Sequence, residues 1–233
     1  MLLELVGFDG MDEQDRAAIR RLIEIKSRGE VPEPMHLCGS WTAVPTSDQA
    51  AVLEAFDLSG PFPVTMHLGA HAWNRDNHEW FGDDAYRRMY VTPAFDGWTL
   101  VFGKPIQPEG ESESDEDTAM ARQVQQGTRR LSERFGEAQW YGASCGDGWT
   151  SWCIARDGEI VRYYDAFDTA DAIGDPLPVE LPAVEEGNCD STDVAAALPV
   201  NPEKLGPQTP VQGRAVLALT SRGRERGMPT GSV

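Results

Sequence analysis

His67, His71 and His78 lie among Asp76, Glu79, Asp83 and Asp84 and make the densest set of metal-type donors in the chain. A zinc or other divalent site needs three or four such groups converging on one ion, often with a water left over for hydrolysis. Metal-assisted hydrolysis is therefore the chemistry this region could supply. The spacing matches no zinc signature, and H-E-x-x-H is absent. The plainer reading is a set of surface histidines hydrogen-bonded to carboxylates, with no cofactor.

Gly142-Ala143-Ser144-Cys145-Gly146 spells the G-x-S-x-G string of a nucleophile elbow. That motif requires a strand-to-helix turn, with an acid and a histidine later in the chain. Here the string runs into a hairpin pattern and no histidine follows His78, so the match reads as accidental. Cys38, Cys145, Cys153 and Cys189 contain no C-x-x-C pair. Cys145 or Cys153 would need a nearby base to act as a nucleophile, and a cysteine on an apolar strand face reads as core. Gly-rich phosphate loops are missing.

Charge is the other lead. The chain carries 38 acids against 20 bases, a net charge of -18. Such a field argues against nucleic acid or an anionic membrane as the partner, and favours a basic protein surface or simple solubility. Residues 109–117 and 165–193 are acid-rich and contain no Lys or Arg. They read either as solvated loops or as a surface that steers a basic partner. Trp140 and Trp149 are the candidate aromatic anchors, with Asp165, Asp168 and Asp171 as the charged part.

Positioning these residues falls to a small set of elements. Asp96-Gly97-Trp98-Thr99 and Asp147-Gly148-Trp149-Thr150 repeat four residues, and Asp157-Gly158 follows; Asp-Gly suits a type I′ hairpin turn. In the first hairpin, Phe95 should face Trp98, Pro93 Leu100 and Val91 Phe102. The other two turns predict a meander over 138–145, 149–156 and 159–165. One of its faces would hold Tyr141, Ala143, Cys145, Trp152, Ile154, Val161 and Tyr163. The other would hold Trp140, Gly142, Ser144, Trp149, Ser151 and Cys153, as a second packing layer or a shallow binding surface.

Helical spacing predicts helices over 12–28, from a Thr46–Gln49 capping box to Gly60, and over 115–135. In the first, Ala18, Ile19, Leu22, Ile23 and Ile25 form one apolar stripe. The last helix should cover the Tyr141 face. Phe62, Val64, Met66 and Leu68 alternate like a strand, and 69–86 read as an irregular loop. Residues 165–193 read as an extended loop or linker, 191–198 as a short helix and 214–220 as a last strand.

Val91-Thr92-Pro93, Asp96-Gly97-Trp98-Thr99-Leu100, Leu131-Ser132-Glu133-Arg134-Phe135-Gly136 and Trp152 to Tyr163 resemble a group of uncharacterised bacterial, chiefly actinobacterial, proteins. Val200-Asn201-Pro202 fits the same pattern. The resemblance implies a bacterial cytoplasmic α+β domain and no particular activity. The N-terminus lacks a basic signal-peptide region, which also points to the cytoplasm.

The expectation is an α+β fold whose antiparallel sheet has five or more strands, a hairpin plus a three-stranded meander packed against helices. It should be one domain over 1–220: a helical part (1–60), a sheet core with its crossover helix (61–165), and an acidic loop with the last strand (166–220). A flexible tail would occupy 221–233. The expected function is a non-enzymatic acidic protein-binding module of the immunity or adaptor type. The alternative is a metal-assisted hydrolase using His67, His71 and His78.

Overall fold

The computed structural model describes residues 12–79, 87–104, 116–181, 189–196 and 201–227. Through them run α1 (Glu13–Ser27), β1 (Gly39–Val44), α2 (Gln49–Ala55), β2 (Ser59–Val64), α3 (Met66–Glu79), β3 (Arg88–Phe95) and β4 (Trp98–Phe102). Next come α4 (Glu116–Phe135), β5 (Glu137–Ala143), β6 (Thr150–Arg156) and β7 (Glu159–Asp165). The order closes with α5 (Ser191–Ala196), β8 (Val211–Gln212), β9 (Ala215–Leu219) and α6 (Ser221–Glu225). All nine strands among the described residues pair antiparallel, so the fold is α+β, as expected.

The chain divides into two compact units, each assembled from separated segments. Unit 1 takes residues 1–33, 47–103 and 206–233, and unit 2 takes 34–46 and 104–205. The expected divisions at 60 and 165 each fall inside a unit.

In unit 1 the strand order is β2-β9-β3-β4, with β8 also on β3. The first Asp-Gly forms the expected turn, with φ of 48° at Asp96 and 82° at Gly97. Phe95 faces Trp98 and Ala94 faces Thr99. The register then slips, so Val91 pairs with Val101 and Tyr90 with Phe102, contrary to the expected Val91–Phe102 pair. The cause is local: Pro93 has no N–H for the ladder, and the Leu100 N–H donates to Thr92 Oγ1 instead (3.0 Å).

The expected strand over 62–68 stops at Val64, and α3 occupies most of the expected loop. Its start is capped twice. Met66 and His67 donate their N–H groups to the Glu30 carboxylate (2.7 and 2.9 Å), and Leu68 N donates to Thr65 Oγ1 (3.0 Å). Those bonds satisfy the orphan donors of the first turn and outweigh the period-two alternation. Gly69 is required there, because a Cβ would enter the ring of Tyr90 on β3.

Asp48, not Thr46, caps α2, accepting from Ala51 N (3.1 Å), and Gln49 instead donates to the carbonyls of Thr92 and Arg214. That helix ends at Ala55, before Gly60. In α1 only Ile23 of the expected stripe is buried, while Leu22 and Ile25 are 44% and 56% exposed. Its neighbour β2 ends the strand order and offers a narrow support. Residues 221–225, within the tail expected to be flexible, form α6: Thr220 Oγ1 accepts from Gly223 N, and Arg224 meets Asp57 at 2.7 Å.

In unit 2 the order is β1-β5-β6-β7. Asp157-Gly158 is the second tight turn, with φ of 48° and 85°. Asp147-Gly148 is not one: β5 and β6 are joined through residues 144–149, and the Asp147 carboxylate accepts from Trp149 N (3.0 Å). Cys153 pairs with Tyr163, but a register shift follows Ile154, so Tyr163 joins the Trp140 face and not the Tyr141 face. Helix α4, ended by Gly136 in a left-handed conformation, lays Val124 on Trp140, Cys153 and Tyr163. It thus covers the face opposite to the one expected.

The Tyr141 face is stacked with aromatics: Trp41 on Tyr141 (4.3 Å between centroids) and Trp152 on Tyr164 (4.5 Å). The described parts of the acidic stretch after β7 fold back on unit 2 and are no free linker. Ile173 pairs with Tyr163 at the sheet edge and packs on the Trp140 cluster, while Glu180, buried against Arg162, and Ser191, whose N–H donates to Thr150 Oγ1 (2.7 Å), cover the Tyr141 face.

Candidate functional site

The expected tryptophan anchors are packing residues. Trp140 is 5% exposed beneath α4. Trp149 lies 6.3 Å from it, ring centre to ring centre, and its Nε1–H donates to both oxygens of Asp165 (3.1 Å each). Gly142 leaves room for this pair, since a Cβ there would enter both rings. Asp165 is engaged as an acceptor and also takes the Phe167 N–H (2.9 Å). Asp168 and Asp171 remain exposed, at the cap and the last position of a turn of 3-10 helix over Thr169–Asp171. Between them and Asp165 stands Phe167, 66% exposed. Sequence reasoning missed it because it sits outside any periodic segment.

Glu180 belongs to the same acidic stretch yet contributes nothing to the surface. It accepts from Arg162 Nε and Nη2 and from Trp152 Nε1 (3.0 Å), and Arg162 also stacks over Tyr164. The residues 109–115 of the other acidic segment lie outside the described residues.

The three histidines expected as metal ligands all lie on α3, exposed. At about 1.5 Å of rise per residue, His67 and His78 stand about 16 Å apart along the axis. His67 faces Glu33 at 3.8 Å, and His78 Nδ1 lies 2.7 Å from the Asn74 carbonyl. They do not converge. Of the nearby acids, Asp76 holds Arg88 through two bonds (2.6 and 2.7 Å) in the core of unit 1; Asp83 and Asp84 lie outside the described residues.

A different set does converge, in unit 2. His36 Nε2 is 3.5 Å from Cys145 Sγ, and Cys145 N donates to Cys38 Sγ (3.2 Å). The three ligand atoms lie within 4.8 Å of one another, with Cys38 buried and the other two exposed. The β1–β5 ladder brings them together: Gly39 pairs with Ala143, so the chain just before β1 meets the chain just after β5. Met35 N, bonded to the Pro202 carbonyl (3.0 Å), fixes the extended run before β1. A hydrogen bond between its thiol and that of Cys38, then slight desolvation, raise the Cys145 thiol above its ordinary range. His36-x-Cys38 was the available sequence signal, since alternate residues of an extended chain share a side. Its partner at position 145 was not readable from spacing.

Unit 1 has a cleft of about 610 Å³ along α1, lined by Arg20, Arg21, Arg28 and Arg214 together with Glu24 and Glu30. Among the described residues no helix is long and apolar enough to cross a membrane. No protein-family model, no curated protein and no solved structure matches the chain.

Proposed function

We propose that this protein is a non-enzymatic acidic protein-binding module, of the immunity or adaptor kind, that recognises a partner with a basic surface. The observation that carries this reading is Phe167, a large apolar ring held out in solvent among Asp165, Asp168 and Asp171. Hot spots pair a buried aromatic anchor with a polar rim, and here the rim would be carboxylate. The net charge of -18 supports it by speeding encounter with a cationic partner and repelling acidic competitors. The neighbouring β7 supports it too. Val161 on it is a second exposed apolar side chain.

The test uses the full chain, immobilised, against the separately purified products of adjacent reading frames. Binding should weaken as salt rises. Phe167→Ala should cost about 2 kcal/mol or more, roughly a thirtyfold loss of affinity, with the circular dichroism unchanged. Asp168→Lys with Asp171→Lys should slow association. Salt-insensitive binding, or full affinity in Phe167→Ala, would overturn the proposal.

A further inference from the structure

We propose that His36, Cys38 and Cys145 form a zinc centre with three protein ligands and a fourth position open to solvent. This inference is independent of the protein-binding reading. Tetrahedral zinc with Zn–S near 2.3 Å and Zn–N near 2.0 Å requires an N···S separation of about 3.5 Å and an S···S separation of about 3.8 Å. The His36 Nε2–Cys145 Sγ distance is 3.5 Å, and all three ligand atoms fall within 4.8 Å of each other. The His36–Cys145 pair already stands at its required separation, and the other two pairs are within about 1 Å of theirs.

The supporting frame is rigid on both sides. His36 and Cys38 share one side of the run pinned at Met35 and continued as β1. Cys145 projects from a loop closed by Ser144 N to the Trp149 carbonyl (2.8 Å) and by Trp149 N to Asp147 (3.0 Å). Trp149 is itself tied to Asp165. Ligands held this way lose little entropy on binding.

The donor set selects the metal. Two sulfurs and an imidazole suit zinc and exclude magnesium and calcium, which take oxygen. As the ion binds, each thiol releases its proton to solvent, so the ion's two positive charges are balanced by two thiolates. Exposed His36 and Cys145 leave the fourth position on the solvent side, where water or an exchangeable anion completes the tetrahedron.

The experiment is metal loading of the reduced, chelator-stripped full chain with zinc, and separately with cobalt as a spectroscopic probe. The expected result is one zinc per chain. Cobalt should give the visible bands of a tetrahedral ion and a thiolate charge-transfer band in the near ultraviolet. His36→Ala and Cys145→Ser are at exposed positions and should stay folded; each should weaken zinc binding by about a hundredfold or more. His67→Ala and His71→Ala should bind as the wild type does. No stoichiometric zinc, equal binding in Cys145→Ser and wild type, or loss of binding in His71→Ala would overturn the assignment. So would a Cys38–Cys145 disulfide that, once reduced, still takes up no metal.

Discussion

Replacing Glu180 with Gln should detach the cover from the Tyr141 face of unit 2. Glu180 is 1% exposed and Arg162 4%, so neither charge has water to fall back on. Glu180 Oε1 accepts from Trp152 Nε1 (3.0 Å) and Arg162 Nε (3.1 Å), while Oε2 accepts from Arg162 Nε (3.0 Å) and Nη2 (2.7 Å). Gln keeps one oxygen and turns the other into an NH₂ group facing an N–H donor. It also leaves the guanidinium buried beside a neutral partner. Breaking one side of a buried pair costs about 3–5 kcal/mol, because the survivor stays uncompensated.

Urea titration of Glu180→Gln, followed by hydrogen exchange resolved to β6, β7 and residues 165–181, measures that loss where it occurs. Exchange should accelerate first in 165–181. An Arg162→Met, Glu180→Leu double variant should recover most of the stability, since it removes both charges together. A loss below about 1 kcal/mol, with exchange in 165–181 unchanged, would mean that the pair does not hold the cover.

Three further predictions rest on single positions. Burial pushes the Cys153 thiol from 9.0 to about 12. The unfolded chain sheds that proton first, so this contribution is complete below pH 9. It should fall by about 1.4 kcal/mol per pH unit between 9 and 12. Urea titrations across that range should show a shallower decline for Cys153→Ala, and equal slopes would refute the assignment. Gly97→Ala meets open space at φ 82° and should cost about 1 kcal/mol through backbone strain alone. Gly142→Ala should cost about 2–3 kcal/mol and shift the tryptophan emission, because its methyl must displace Trp149. Unchanged emission would show that the rings are not packed on Gly142.

What could be read from the chain was set by short-range chemistry. Asp96-Gly97 and Asp157-Gly158 each put an Asp at φ 48°, as a type I′ turn demands, whereas Asp147 spends its carboxylate on Trp149 N and the turn opens. Helix α1 was legible from its spacing, and its start is held by Asp12, whose carboxylate accepts from the Gln14 and Asp15 amides. The beginning of α3 depended on Glu30, a distant residue, and so the alternation through Leu68 misled. Pro93 inside a strand pattern is the sequence sign of the bulge in β3. Glu180 looked like one more surface acid because its base comes from β7. His36 and Cys145 could not be joined without knowing that β1 lies beside β5.

In unit 1, β9 sits between β2 and β3 and is the pairing partner of both. During synthesis the ribosome delivers β2 and β3 long before that central strand exists. Until residues 215–219 emerge, β2 has no ladder to join. Closing the gap joins segments far apart along the chain, a topology that slows folding and exposes the nascent protein to misassociation. Completion of unit 1 therefore waits on β9, the strand that both β2 and β3 need as a neighbour.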